Sequence, residues 1–178
     1  MGYRIRQSRR EDWEQLRELR LAALRDAVAP MAFLEPYEEA ERLTRGEWER
    51  RASGGEVVTF VGETDDGRWV GMVKIDTGGA YAEVMGVYLA PEHRGTGLGA
   101  QLMRAAMDWA GDLDVRLRVH QHNARAARFY QNLGFRRTGT TSPDPRDASL
   151  CAYELVYRRP RAGQGRGTGP QHQPPVGH

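Results

Sequence analysis

Residues 91–110 read Pro-Glu-His-Arg-Gly-Thr-Gly-Leu-Gly-Ala-Gln-Leu-Met-Arg-Ala-Ala-Met-Asp-Trp-Ala. The strand-like run Val87-Tyr88-Leu89 precedes them, and a glycine-rich turn then passes into a helical pattern. Leu98, Leu102, Ala105, Ala106 and Trp109 share one face of that helix. Amides in the first turn of a helix have no partner within it, and the helix dipole adds partial positive charge there. With glycine at 95, 97 and 99, no Cβ blocks an approaching anion. A strand, glycine loop and helix in this order suit a phosphate or pyrophosphate, and Arg94 adds a charge at the mouth. The same four letters recur as Arg166-Gly167-Thr168-Gly169. That copy has no strand before it, and Pro170 follows at once. Ordering its amides would cost more than one phosphate contact returns.

The rest of the chain arranges itself around this loop. Residues 3–6 alternate as a first strand. Ser8 and Glu11 have capping-box spacing, ahead of a helix with Trp13, Leu16, Leu19, Ala23 and Leu24 on one stripe that stops before Pro30. Residues 31–36 read as a turn, and Tyr37 to about Arg51 as a second helix with a thin stripe of Tyr37, Ala40, Leu43 and Trp48. Strands follow at 57–61 and 69–75 around the Asp65-Asp66-Gly67 hairpin turn. The glycine pair at 78–79 leads into a third at 82–89. Val115-Arg-Leu-Arg-Val119 alternates strictly, and a right-handed crossover through the 98–109 helix makes it parallel to 82–89. Asn123 caps a further helix with Ala126, Ala127, Phe129, Tyr130 and Leu133 as its apolar positions. Gly134 ends it, and short strands near 135–139 and 149–157 are separated by Ser-Pro-Asp-Pro-Arg-Asp. From Pro160 onward Gly, Pro, Gln, Arg and His dominate, so residues 160–178 read as a disordered tail to a 1–159 domain.

Three phosphate-binding patterns compete for the 94–99 loop. The P-loop is absent, because no Gly-Lys-Ser/Thr occurs. Gly95-x-Gly97-x-x-Ala100 formally fits the dinucleotide fingerprint. That pattern wants the strand to run straight into the first glycine, and an acid about 20 residues on; here Pro91-Glu-His-Arg94 intervenes and the next strand ends in His120. The third pattern fits best. Arg94-x-x-Gly97-x-Gly99, after Val87-Tyr-Leu-Ala-Pro91 and before a helix, closely resembles the acyl-CoA pyrophosphate loop of the GNAT superfamily of N-acetyltransferases. Asn123-x-x-Ala126-x-x-Phe129-Tyr130-x-x-x-Gly134-Phe135 resembles that family's second signature, and the element order matches along roughly residues 3–157.

The resemblance implies a mixed α/β (α+β) fold. Its mostly antiparallel twisted sheet has about seven strands and about four flanking helices, with a parallel, splayed pair at the cofactor cleft. It implies acetyl-CoA as acyl-donor cosubstrate, with no metal, and transfer of the acetyl group to a primary amine of a small molecule or protein. Cofactor binding falls by resemblance to Val87, Tyr88 and Leu89 through their backbone, to Arg94, Gly95, Thr96, Gly97, Leu98 and Gly99, and to Asn123 and Tyr130. Tyr130 is by resemblance the general acid for the leaving thiol, whose ordinary pKa of about 8.5 lies below the tyrosine value of about 10; a core aromatic of the Phe-Tyr pair is the alternative. Glu83 resembles the base of the family's histone-type members, with an edge carboxylate in solvent as the alternative. Members acting on peptide N-termini often carry Glu five residues before the Asn, where this chain has Arg118. His120 and His122 flank the cleft and are candidate proton relays, and surface histidines otherwise. The acceptor is expected between the first two helices and the 140–148 loop, where Glu35, Glu38, Glu39 and Glu41 are either amine-attracting or a solvated face.

Composition narrows the class further. The chain of 178 residues suits one core, and no apolar run approaches the ~20 residues of a membrane span. The N-terminus carries no apolar signal segment, which points to a cytoplasmic protein, monomeric or homodimeric, without a membrane partner. A single cysteine, Cys151, excludes an intrachain disulfide and a Cys-rich zinc site. A net charge of +2 with acids and bases interleaved argues against a nucleic-acid surface. Lys74 is the one lysine among 26 basic residues. A non-catalytic acyl-CoA sensor is the alternative to an enzyme, and the intact Tyr130 favours the enzyme.

Overall fold

Alternation in the strands sends one set of side chains to each face of a seven-stranded sheet, in the order β1-β2-β3-β4-β5-β7-β6. The strands are β1 Arg4–Gln7, β2 Val57–Glu63, β3 Trp69–Asp76, β4 Ala82–Leu89, β5 Val115–His120, β6 Arg136–Asp144 and β7 Asp147–Tyr157. The helices are α1 Trp13–Arg25, α2 Ala29–Ala32, α3 Tyr37–Glu41, α4 Arg45–Ser53, α5 Leu98–Trp109 and α6 Ala124–Asn132. This computed structural model describes residues 2–161, so the second Arg-Gly-Thr-Gly and most of the expected tail lie outside the described residues. Every strand pairing is antiparallel except β4 with β5, which is parallel as the crossover through α5 demands. No helix among the described residues is long and apolar enough to cross a membrane.

One face carries a core of Val73, Ile75, Val84, Leu98, Leu102, Leu117 and Phe135, covered by α5 and α6. The other carries Leu16, Leu19, Trp48, Val61, Met72 and Tyr88, covered by α1 to α4. The stripe of α5 is wider than the sequence reading gave it. Met103, Met107 and Ala110 are buried beside Leu98, Leu102 and Ala106, while Trp109 stays exposed at the rim and meets Phe60 edge-on at 6.2 Å.

Four expectations change, each for a local reason. The helix expected from Tyr37 to Arg51 breaks after Glu41, because Thr44 caps a new one: the Glu47 N–H reaches Thr44 Oγ1 (3.4 Å) and Glu47 accepts from the Thr44 N–H (2.7 Å). That is a capping box written in the sequence as Thr-x-x-Glu. Residues 29–32 form a single helical turn where only a turn was expected, which with the break brings the helices to six. Ser8 is no cap. It is buried, and its hydroxyl donates to Ala52 O (2.9 Å), while Asp12 accepts from the Arg9 N–H (2.7 Å). Ser142, Pro143 and Asp144 belong to β6 rather than to a long connection, because Asp144 accepts from the Arg146 N–H (2.8 Å) and tightens the turn. Pro143 is tolerated because β6 is the edge strand of the sheet.

Trp48 joins α4 to the α1 side of the sheet and is only 1% exposed. Replacing it by alanine removes the largest buried side chain on that face. Trp48→Ala is expected to cost about 3–5 kcal/mol in urea unfolding; a loss below about 1 kcal/mol would mean that α3 and α4 are not integral to the second core.

Candidate active site

The site begins with a fault in β4. On its β3 side, Leu89 and Tyr88 pair with Gly71 and Met72, but Met85 pairs with Lys74, so Gly86 and Val87 together face Val73. This is a β-bulge, and Gly86 adopts φ +62° to make it. On its other side β4 pairs with β5 only at Ala82–Val115 and Glu83–Arg116. Beyond that point β5 continues on β7 up to His120, and the β4 edge at Val87, Tyr88 and Leu89 faces an opening. Val87 and Leu89 pack on the α5 core, and Tyr88 is buried on the α1 side. What these residues offer the opening is backbone, as the resemblance implied.

The opening runs into the glycine loop. Pro91–His93 forms a 3-10 turn, and Gly97 stands at the N-cap of α5 with φ +89°. Gly95 is also left-handed, with φ +75°, and a Cβ at either position would meet nothing within 4 Å. The first helical bond of α5 runs from Gln101 N to Gly97 O. Among the described residues nothing accepts from the amides of Leu98, Gly99 and Ala100. These orphan donors and the two open glycines fit a phosphate group. Gly99 serves a different purpose: a Cβ there would lie 3.1 Å from Phe129 and 3.2 Å from Leu89, so its absence lets α5 approach α6 and β4.

Two loop residues are held by protein contacts. Thr96 Oγ1 donates to His93 O (2.6 Å) and accepts from Tyr3 Oη (3.1 Å), and Tyr3 Oη lies 2.8 Å from His93 Nδ1. One consistent proton order runs from His93 Nδ1–H to Tyr3, from Tyr3 to Thr96, and from Thr96 back to His93 O. Thr96 is thus a brace of the loop. Arg94 donates to Leu89 O (3.1 Å) and to Asp26 (2.7 Å), at the end of α1. Burial of the Asp26 carboxyl raises its pKa, but the Val28 N–H, Arg94 and the Tyr88 hydroxyl outweigh this and hold it below the ordinary value. Arg94 therefore ties the glycine loop to the α1–α2 connection, a partner that the sequence reading did not foresee.

Across the opening, Asn123 Oδ1 accepts from the Ala126 N–H (3.2 Å) and caps α6, which leaves its amide nitrogen unused by the cap. Tyr130 is buried one side of α6 against Phe129 and Phe135. Burial pushes its pKa up, so the phenol is protonated at any working pH. Glu83 is not a free carboxylate. It lies 3.2 Å from the Arg118 guanidinium, so the very residue that departs from the N-terminal-acting pattern engages the candidate base.

Of the two histidines, only His120 is engaged through its ring by polar partners among the described residues: Nδ1 accepts from the His122 N–H (3.1 Å), and Nε2 faces Asp144 at 3.7 Å. Asp144 is held well below the carboxylate range by the Arg146 side chain and N–H. Arg146 also donates to Phe33 O (3.1 Å) and Pro30 O (2.6 Å), clasping the β6–β7 turn to α2. A separate shallow pocket lies toward the sheet edge, between α6 and β6–β7, lined by His120, Asn123, Ala127, Gln131, Arg137 and Tyr153. Cys151 sits half-buried in β7, its N–H donating to Gln121 Oε1 (2.6 Å). No group of three or more His, Cys, Asp or Glu suited to a metal occurs among the described residues.

Of the four acids expected near the acceptor, two have partners within the protein. Glu35 binds Arg20 (2.9 Å) and Arg51 (2.7 Å), and Glu41 accepts from Tyr37 (3.1 Å). The bulge at Gly86 was the other omission. Its signal was present, since an isolated glycine inside a strand pattern marks a bulge or a close backbone approach.

Comparison with known proteins agrees with this architecture. The chain is 44% identical over 80 residues to an uncharacterized N-acetyltransferase of Mycobacterium tuberculosis, a match covering 42% of this chain and 51% of that protein. It thus spans about half the length of that relative. The peptidyl-lysine N-acetyltransferase YjaB of Salmonella typhimurium is 29% identical over 160 residues, covering 88% of this chain and 99% of the relative. The PaiA N-acetyltransferase of Thermoplasma acidophilum, solved with coenzyme A, shares the fold with a TM-score of 0.68 at 23% identity, over 89% of this chain and 99% of that one. The profile of the Acetyltransferase (GNAT) family matches residues 13–135. With its splayed parallel pair, glycine loop and capped α6 in the places that this profile spans, the chain belongs to the Acetyltransferase (GNAT) family.

Proposed function

We propose that the protein transfers the acetyl group of acetyl-CoA to a primary amine by direct attack on the thioester. The carrying observation is the continuity of the unpaired β4 edge at residues 87–89 with the free amides of Leu98, Gly99 and Ala100. One extended arm ending in a pyrophosphate fits such a track, the arm as an added strand and the phosphates on the helix N-terminus. Arg94, Gly95, Thr96 and Gly97 form the turn, and Asn123 faces the same ligand from α6. The coenzyme A complex of the fold neighbour and the lysine and spermidine acetylation named for two relatives support the cosubstrate and an amine acceptor.

The residues divide the work. A backbone amide at the bulged end of β4 is the donor aimed at the thioester oxygen, where developing charge is stabilised. Tyr130 supplies the departing sulfur with a hydrogen bond and then a proton. Glu83 is the carboxylate assigned to take the proton that the ammonium sheds before attack, and Arg118 must swing aside for it to do so. Because burial disfavours tyrosinate, the proton that Tyr130 gives to sulfur is replaced by the second one, released from the nitrogen of the collapsing intermediate.

Tyr130→Phe is expected to leave acetyl-CoA affinity unchanged by calorimetry and to lower kcat by roughly 10²–10⁴-fold. Equal turnover would remove Tyr130 from the mechanism. Gly97→Glu places a carboxylate in open space beside the orphan amides. It should abolish acetyl-CoA binding while circular dichroism shows the fold intact, and undiminished affinity would mean that the phosphates sit elsewhere. Glu83→Gln should reduce kcat/KM by about 10²-fold at neutral pH, less at high pH where the amine is already deprotonated. A flat ratio across pH would assign the proton to another group.

A further inference from the structure

Behind the β4 bulge, on the α1 side of the sheet, lies a group of charges that no step above uses. Lys74 on β3 pairs across the strand with Met85, immediately before the bulge. Its side chain is partly buried, and its Nζ has no hydrogen-bond acceptor among the described residues. Arg20 of α1 reaches the same spot. Its Nε and Nη2 bind Glu35, but Nη1 is buried without a hydrogen-bond partner among the described residues. A Cβ placed on Gly86 would lie 3.8 Å from Arg20 Nη1 and 3.8 Å from Lys74 Cε. The orphan guanidinium nitrogen and the lysine stem thus converge on the one glycine that opens the strand. Arg51 completes the group, so three cations share a single carboxylate, Glu35.

Burying an unpaired donor or charge is costly, and a hydrophobic residue at 20 or 74 would fill this space without that cost. Burial pushes the Lys74 pKa down, and the Arg20 and Arg51 charges push it further. A bound anion would oppose that shift by attracting the charged form. The surroundings also form a wall for a small molecule. Phe33 stacks on the Arg20 guanidinium at 4.6 Å and packs at 6.4 Å from Tyr88, and Arg146 holds the Phe33 carbonyl from the β6–β7 turn.

We propose that Arg20 and Lys74 form a carboxylate subsite for the acceptor, so that the substrate is an amine that also bears a carboxylate, such as a free amino acid. This rests on the acetyltransferase reading for the acceptor's identity, but not for the presence of the subsite. A polyamine is disfavoured by the same geometry, since its second ammonium would face Arg20 and Lys74 with Glu35 already engaged by two arginines. The carboxylate receives charge-assisted hydrogen bonds from Arg20 Nη1 and Lys74 Nζ, and the amine is left beside the bulge.

Lys74 is the only lysine of the chain, so lysine labelled with 13Cε and 15Nζ reports on this site alone. The labelled protein is titrated with a mixture of free amino acids, with the matching amino-acid carboxamides, with spermidine and with sodium acetate. Acetyl-CoA affinity is measured in parallel by calorimetry. The expected result is a saturable shift of the Lys74 signals with the amino acids and none with the carboxamides or spermidine. In thiol-release assays the same amino acids should be preferred over their carboxamides by at least about tenfold, and Lys74→Met should erase that preference while acetyl-CoA affinity is retained. A shift with acetate but not with amino acids would make this a site for a free anion and overturn the assignment. No shift with any carboxylate, or an equal shift with the carboxamides, overturns it as well. A saturable amino-acid shift in a protein that fails to bind acetyl-CoA would leave the subsite standing and remove the enzyme reading.

Discussion

The bulge at Gly86 is the constraint on which the rest of the site depends. A strand that stayed in register would continue to pair with β5, and its edge would be closed. One extra residue opposite Val73 bends β4 and changes which side chains face which core: Val84 and Val87 both reach the α5 side, while Tyr88 reaches the α1 side. The left-handed φ of +62° is cheap only for glycine. An added Cβ would lie at ordinary contact distance from both Arg20 Nη1 and the Lys74 stem. A single backbone choice thus accompanies the open edge on one side of the strand and brings the backbone close to Arg20 and Lys74 on the other.

Besides apolar packing, the two halves of the site are joined by directional bonds from two arginines. Arg94 links the glycine loop to Asp26 at the end of α1, and Arg146 links the β6–β7 turn to Pro30 and Phe33. Both are arginines, whose planar fork can hold two partners at once. The consequence is a rim for the opening assembled from α1, α2 and the β6–β7 turn, each fixed by directional bonds. Arg94 carries a charge that a phosphate would also want, so Asp26 tempers the loop's attraction for anions while it fixes the end of α1 to the loop.

Much of this was legible in the sequence because it is local. The glycine loop, the start of α5, the Asn123 cap and the Gly134 stop each depend on a few adjacent residues, and each lies where the pattern put it. The parallel β4–β5 pair followed from the handedness of the crossover. The Thr44–Glu47 capping box and the isolated Gly86 were equally local signals, passed over in favour of a continuous helix and a plain strand. What could not be read was the pairing of charges far apart in the chain. Arg94 with Asp26, Glu83 with Arg118, and Glu35 with Arg20 and Arg51 are set by the sheet and the helix docking. These partners change the chemistry: they engage Glu83 and Glu35, two of the acids that sequence alone offered to the substrate amine, and leave Arg20 Nη1 unpartnered among the described residues behind the bulge.

The account stands on coenzyme A lying along the open edge of β4 with its phosphates on the first turn of α5. Backbone amide resonances followed during a coenzyme A titration test this most directly. The predicted result is a saturable perturbation at Val87, Tyr88 and Leu89 together with Gly95 through Ala100. Saturation confined to the separate pocket around Arg137 and Tyr153, or no saturable change at all, would contradict it.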